Sequence, residues 1–154
     1  MTNNDILRSL RYIFDFNDSK MIEIFALATC EISRTQISQW LKKDEDPDFQ
    51  SINDGGLSNF LDGFIILKRG KKEGAAPVAE NEITNNTILR KLKIALSLKD
   101  DEMLEILSKV DMNISKHELS AFFRHPSQSQ YRVCNNQILR NFIHGMQIKY
   151  KQDS

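Results

Sequence analysis

The sequence predicts an all-α protein: a tandem repeat of two four-helix modules, helix-turn-helix-like in plan. Three observations predict it. The stretch from Asn3 to Arg69 returns without a gap from Asn85 to Lys151, and more than a quarter of the paired positions are identical. Apolar residues in both copies recur three and four apart, the spacing of one helix face. Residues that start helices then fall at matching places in the two copies.

The first helix opens on Asn3-Asn4-Asp5-Ile6-Leu7-Arg8, repeated as Asn85-Asn86-Thr87-Ile88-Leu89-Arg90. Its stripe is Ile6, Leu7, Leu10, Ile13 and Phe14, answered by Ile88, Leu89, Leu92, Ala95 and Leu96. Asp18 and Asp100 stand where an N-cap belongs for a second helix. That helix buries Met21, Ile24, Phe25 and Ala28, or Met103, Ile106, Leu107 and Val110.

The third helix has the clearest start. Ser33-x-x-Gln36 and Ser115-x-x-Glu118 both read as capping boxes, flanked by Ile32 with Ile37 and by Ile114 with Leu119 as hydrophobic staples. Losing either serine is expected to cost about 0.5–2 kcal/mol. Trp40-Leu41 and Phe122-Phe123 continue the stripe. A loop with Pro47, or Pro126, leads to Asn53 and Asn135, the expected caps of a fourth helix. Leu57, Phe60, Leu61 and Phe64 face inward there, matched by Leu139, Phe142, Ile143 and Met146. Gly63 and Gly145 lie mid-helix, where glycine costs about 1 kcal/mol against alanine. Its appearance in both copies predicts a close helix crossing.

The expected organisation is therefore a first helical repeat over 1–70, a linker over 71–84 rich in glycine, alanine and charge, and a second helical repeat over 85–154. Modules this small bury little core alone, so docking or self-association is expected to help them. Arg8 recurs with Glu23 as Arg90 does with Glu105, which predicts an ion pair between the first two helices of each copy.

Composition narrows the function. The apolar fraction of 40% and charged fraction of 27% belong to a globular protein. Apolar runs such as Phe64–Leu67 are far short of the roughly 20 residues that span a bilayer. The start of the chain is polar, so a cytoplasmic protein with no membrane partner is expected. Cys30 and Cys134 are expected as reduced thiols. Net charge is zero, yet Asn3–Arg69 holds 8 basic and 11 acidic residues, and Asn85–Lys151 holds 11 basic and 6 acidic.

No catalytic, cofactor or metal motif emerges. Asp44, Asp46 and Asp48 alternate like a calcium loop, but Phe49 occupies the turn position and Gly55 the terminal ligand position. His117, His125 and His144 lack zinc-like spacing. Asp54-Gly55-Gly56 lacks the lysine of a phosphate loop. No enzyme activity, cofactor or metal is expected. The candidate surface is instead the outer face of the capped helices: Arg34, Gln36 and Gln39 in the first copy, Lys116, His117, Ser120 and Arg124 in the second. A helix, a turn and a capped helix resemble the plan of DNA readers. The neutral total charge and the long turn without glycine favour a protein partner or self-association, with nucleic acid as the alternative.

Asn3–Leu10, Glu23-Ile24-Phe25, Ile32-Ser33, Lys68-Arg69-Gly70-Lys71-Lys72 and Ile114–Arg124 together resemble the bacterial YehS-like family, two copies of a domain of unknown function. The resemblance spans essentially the whole chain. It implies a bacterial cytosolic protein and the tandem helical plan, and it carries over no catalytic residue. The function expected is a non-catalytic protein-binding or adaptor module; DNA binding through the second repeat's capped helix is the alternative.

Overall fold

The computed structural model describes residues 1–71 and 82–151, and all regular structure among them is helical. Two compact units divide the chain at Ile83 and Thr84. The first holds α1 (Asn3–Ile13), α2 (Asp18–Leu27), α3 (Arg34–Leu41) and α4 (Asp54–Arg69). The second holds α5 (Asn85–Ala95), α6 (Asp100–Ser108), α7 (Lys116–Ala121) and α8 (Asn136–Tyr150). Of the linker expected over 71–84, residues 72–81 lie outside the described residues.

In each unit the last helix packs mainly on the second, and the third leans on the second as well. The apolar stripes read from the sequence form most of these cores, but Val110, expected inside, lies beyond the end of α6 and is half-buried. Leu7, Leu10, Met21, Ile24, Phe25, Ile37, Leu57, Phe60 and Phe64 are fully buried in the first, and Leu92, Met103, Ile106, Leu119, Leu139, Phe142 and Met146 in the second. The first core is the more aromatic: Phe25 lies 5.5 Å from Trp40 and 5.2 Å from Phe60, centroid to centroid.

The central crossing turns on glycine. A Cβ on Gly63 would collide with the Ile24 carbonyl oxygen of α2 and lie 2.8 Å from its carbonyl carbon. On Gly145 it would collide with the Ile106 carbonyl oxygen and lie 2.8 Å from Ile106 Cγ2. Backbone meets backbone at both places, so only a residue without a side chain fits.

Helix ends follow the expected signals with three corrections. The α2 N-cap is Asn17, whose Oδ1 accepts from Lys20 N–H at 2.8 Å, so Asp18 is the first helical residue. At α6 the cap position is Lys99, not Asp100; a lysine has no acceptor to offer, and the Glu102 carboxylate accepts the Lys99 N–H at 2.9 Å instead. Ser33 caps α3 through Gln36 N–H at 3.1 Å, but no return bond from Gln36 closes the box. The Ser115–Glu118 box is complete, with bonds of 3.0 and 3.1 Å. Asn53 and Asn135 cap α4 and α8 as expected, at 2.7 and 2.9 Å. The chain leaves α1, α2, α5 and α6 through left-handed residues, Asp15, Thr29, Ser97 and Asp111, with φ between 53° and 58°.

Candidate functional site

The surface formed by the capped helix and the loop after it is positioned by a buried amide. Asn4, 2% exposed, donates from Nδ2 to the carbonyls of Trp40 at 3.0 Å and Gln50 at 2.9 Å, and its Oδ1 accepts Ile52 N–H at 3.1 Å. Asn86 repeats this in the second unit, donating to Phe122 and Arg132 at 3.0 and 2.8 Å and accepting from Cys134 at 2.9 Å. Asn3 and Asn85 add bonds to Ile52 and Asp54, and to Cys134 and Asn136. A loop with no ladder of its own would otherwise leave these backbone groups unpaired. The Asn-Asn pair that opens each repeat thus fixes where the loop returns.

Loop backbone bonding is duplicated as well. Asp46 N–H bonds to Lys43, Phe49 to Asp46 and Gln50 to Gln39; Gln128 bonds to His125, Tyr131 to Gln128 and Arg132 to Ala121. On this common frame the side chains differ. The first loop carries Asp44, Glu45, Asp46 and Asp48, with Asp46 Oδ1 accepting Asp48 N–H at 2.8 Å. The second carries Pro126, Ser127, Gln128 and Gln130 at the matching places, with no acid.

Arg8 belongs to this surface and not to the ion pair expected with Glu23. Its guanidinium reaches the Lys42 carbonyl at 2.6 Å, Asp5 at 2.7 Å and Asp44 at 3.2 Å. Glu23 is taken by Lys20 at 2.6 Å, one turn earlier on the same exposed helix face. Glu105 lies 4.0 Å from Lys109. Burial pushes the Asp5 carboxyl upward, but bonds from the Thr2 N–H and hydroxyl and from Arg8 outweigh it and hold the group below the usual range. Neither acid exists in the second repeat, where Thr87 and Pro126 replace them. Arg90 is exposed there and forms no ion pair among the described residues.

The sequence candidates differ in how far their side chains are exposed and engaged. Arg34 is exposed but bonds to Ser19 Oγ at 3.0 Å and approaches Asp18 at 4.0 Å. Gln36 is half-buried, with its Nε2 enclosed and without a partner, and Gln39 is half-buried with its carbonyl engaged by the loop. With Asp18, Thr35, Ser38, Lys42 and Asp48, Arg34 and Gln39 line an open depression of about 550 Å³. It carries both signs of charge. In the second unit Lys116 and His117 are exposed, and Lys116 stands 3.5 Å from Asp101. Ser120 Oγ donates to the His117 carbonyl at 2.9 Å. Arg124 is held by Gln130 Oε1 at 2.9 Å and by Ser120 Oγ at 3.4 Å. Ser120 thus links His117, one turn earlier on α7, to Arg124 on the turn just past the helix end.

Arg132 joins this surface although helix patterning does not pick it out, and an exposed apolar residue follows it in the chain. Arg132, exposed, lies 3.6 Å from Glu118, so the returning loop strand sets a second guanidinium beside α7. Val133 follows it at 70% exposure, the most exposed large apolar side chain in the second unit. The Ser115 N–H and hydroxyl bonds hold the Glu118 carboxyl below its ordinary range.

The Cys134 thiol is buried and pushed up to about 11 by desolvation, and burial raises Cys30 too, so neither is a ready nucleophile. Among the described residues no group of three or more His, Cys, Asp or Glu side chains is placed to hold a metal ion, and no helix is long and apolar enough to cross a membrane.

The family model described as "Protein of unknown function (DUF1456)" matches the chain twice, over residues 3–70 and 85–151. The chain is also similar to the protein named "Uncharacterized protein YehS" of Escherichia coli (strain K12), 43% identical over 147 residues that cover 95% of this chain and 94% of that relative. No solved structure matches it.

Proposed function

This chain belongs to the DUF1456 family, and from that premise we propose that it is a non-catalytic adaptor that binds partner proteins through the capped-helix surfaces of its repeats. One observation carries the reading. The two units share a frame bond for bond, from the Asn4 and Asn86 amides to the loop turns, yet carry contrasting charge on the corresponding surface. The loop after α3 carries four acids and the loop after α7 none, while Arg8, Arg34 and Lys42 have basic counterparts in Arg90, Lys116 and Arg124, and Arg132 adds a cation where the first unit has Gln50. Such a chain presents two non-equivalent recognition surfaces. The reading carries a cytoplasmic location with it, which suits two unpaired thiols.

The test is comparative capture from the protein's own cells. Wild-type chain, an α7-surface variant (K116E/R124E) and an α3-surface variant (R34E/K42E) are cross-linked and their retained proteins compared. The adaptor reading expects partners lost on one variant and kept on the other. Identical protein sets for all three would refute it. Micromolar binding to random duplex DNA that weakens steeply with salt would replace it with a nucleic-acid reading.

A further inference from the structure

Resting on the adaptor reading, we propose that the α7 surface takes an acidic segment of a partner protein, one that carries an apolar side chain among its carboxylates. The argument starts from a loss. In the first unit the Arg8 guanidinium is neutralised by Asp5 and Asp44 and spends its other donor on the Lys42 carbonyl. In the second unit the same backbone position holds Arg90, while both matching acids have become Thr87 and Pro126. An arginine is a planar fork of donors that pairs carboxylates two bonds at a time. Arg90 offers such a fork to solvent, with no carboxylate of its own unit upon it.

Preorganisation supports the same occupant. Arg124 is fixed by Gln130 and Ser120, both neutral, so its position is set while its charge is not cancelled. Arg132 is oriented by Glu118 at 3.6 Å, a distance that leaves the guanidinium largely open to water. The Lys116–Asp101 contact at 3.5 Å joins two side chains exposed by 65% and 83%, and an ion pair of that kind yields readily to a better partner. Holding cations in place before binding removes part of the ordering cost of association.

The apolar element distinguishes a peptide from a generic polyanion. Val133 stands 70% exposed directly after Arg132, where the first unit has the polar Ser51. An exposed apolar side chain next in the chain to a cation fits a carboxylate-rich segment with a leucine or phenylalanine in it. A phosphate backbone has nothing to place there. The short α7, Lys116–Ala121, also gives little length with which to follow a DNA groove.

The experiment uses the full chain and fluorescein-labelled 12-residue peptides followed by anisotropy. One peptide alternates aspartate and glutamate with two leucines, a second replaces the leucines with serine, and a third replaces the acids with glutamine; random duplex DNA is the competing probe. Tightest binding is expected for the leucine-bearing acidic peptide. R90E/R124E should weaken it by about tenfold or more, and R34E/K42E should leave it unchanged. V133S should remove the preference for leucine over serine while preserving salt dependence. R90Q/R124Q provides a second variant should charge reversal disturb folding, and unchanged circular dichroism certifies each. Equal binding by wild type and R90Q/R124Q, no discrimination between the leucine and serine peptides, or tighter binding to duplex DNA overturns the proposal. If the peptides fail while α7-surface variants still lose captured proteins, the adaptor reading stands and only this assignment of partner chemistry falls.

Discussion

Replacing Gly63 with alanine is the sharpest probe of how each unit is assembled. On an isolated helix the change would stabilise by about 1 kcal/mol, because alanine loses less backbone freedom than glycine. Here the added methyl collides with the Ile24 carbonyl oxygen and stands 2.8 Å from its carbon, a contact with α2 backbone that no rotamer change relieves. Overpacking costs typically about 1–3 kcal/mol, and an obstacle made of backbone belongs at the upper end. After the helix gain is subtracted, a net loss of about 2 kcal/mol remains. Urea unfolding followed by Trp40 reads it directly, since this single tryptophan is 9% exposed against Phe25 and reports the first unit. With a denaturant slope of about 1 kcal/mol/M for so small a unit, the midpoint should fall by roughly 2 M. Trimming Ile24 to alanine in the same chain should give no rescue, because its side chain is not the main obstacle. A G63A midpoint at or above wild type, or full rescue by I24A, would refute the reasoning.

Four further outcomes follow from the same structure. Asn86→Ala removes three bonds to buried backbone groups and should cost about 3 kcal/mol; Asn86→Asp should fare little better, because a carboxylate cannot donate to Phe122 and Arg132, and thermal unfolding checks both. Thr29→Gly relieves a β-branched residue held at φ 58° and should raise stability by about 0.5–1 kcal/mol in the Trp40-monitored transition. The Glu118 carboxyl, held low by the Ser115 bonds, contributes stability above the unfolded glutamate range that is lost as pH falls through its lowered folded value. E118Q should flatten the acid limb of the stability–pH curve, and carbon-detected NMR titration should find the Glu118 midpoint below that of free glutamate. Cys134, pushed up to about 11, should resist iodoacetamide at neutral pH until unfolded, and its share of stability should fall as pH rises past about 8.5, where the unfolded thiol ionises.

Much of this architecture could be read from residues alone, because duplication tests each signal twice. A serine three residues before a glutamate, or a glycine inside an apolar stripe, says little once. Found at the same place in both copies, Gly63 and Gly145 pointed to the crossing that the structure contains. The failures share a cause. Recurrence of Arg8 with Glu23 as Arg90 with Glu105 points to a pair between helices, whereas the partners of Arg8 beyond its own helix, Lys42 and Asp44, lie on a loop whose path the sequence does not give. Asp18 looked like a cap beside Asn17 because side-chain chemistry cannot separate adjacent acceptors; the extended backbone at Asn17 does. Gln36 sits in a box pattern whose return bond an amide does not make here, while Glu118 makes it. Asn4 and Asn86 bond to residues 36 to 48 positions away, so nothing local to the helix start signals their role. The α7 surface was legible in part: Lys116, His117, Ser120 and Arg124 stand at or near solvent, while Arg132 and Val133 depended on the path of the loop.

The Asn4 and Asn86 amides have an evolutionary consequence. Each fastens both ends of its loop by backbone groups alone, to carbonyls and an N–H that every residue type but proline supplies. What lies between those anchor points is free to change its lettering without moving the anchors. After duplication, one copy could hold a run of carboxylates and the other neutral serines and glutamines on an identical mount. New specificity could then accumulate at the rim of either half while its interior stayed as it was.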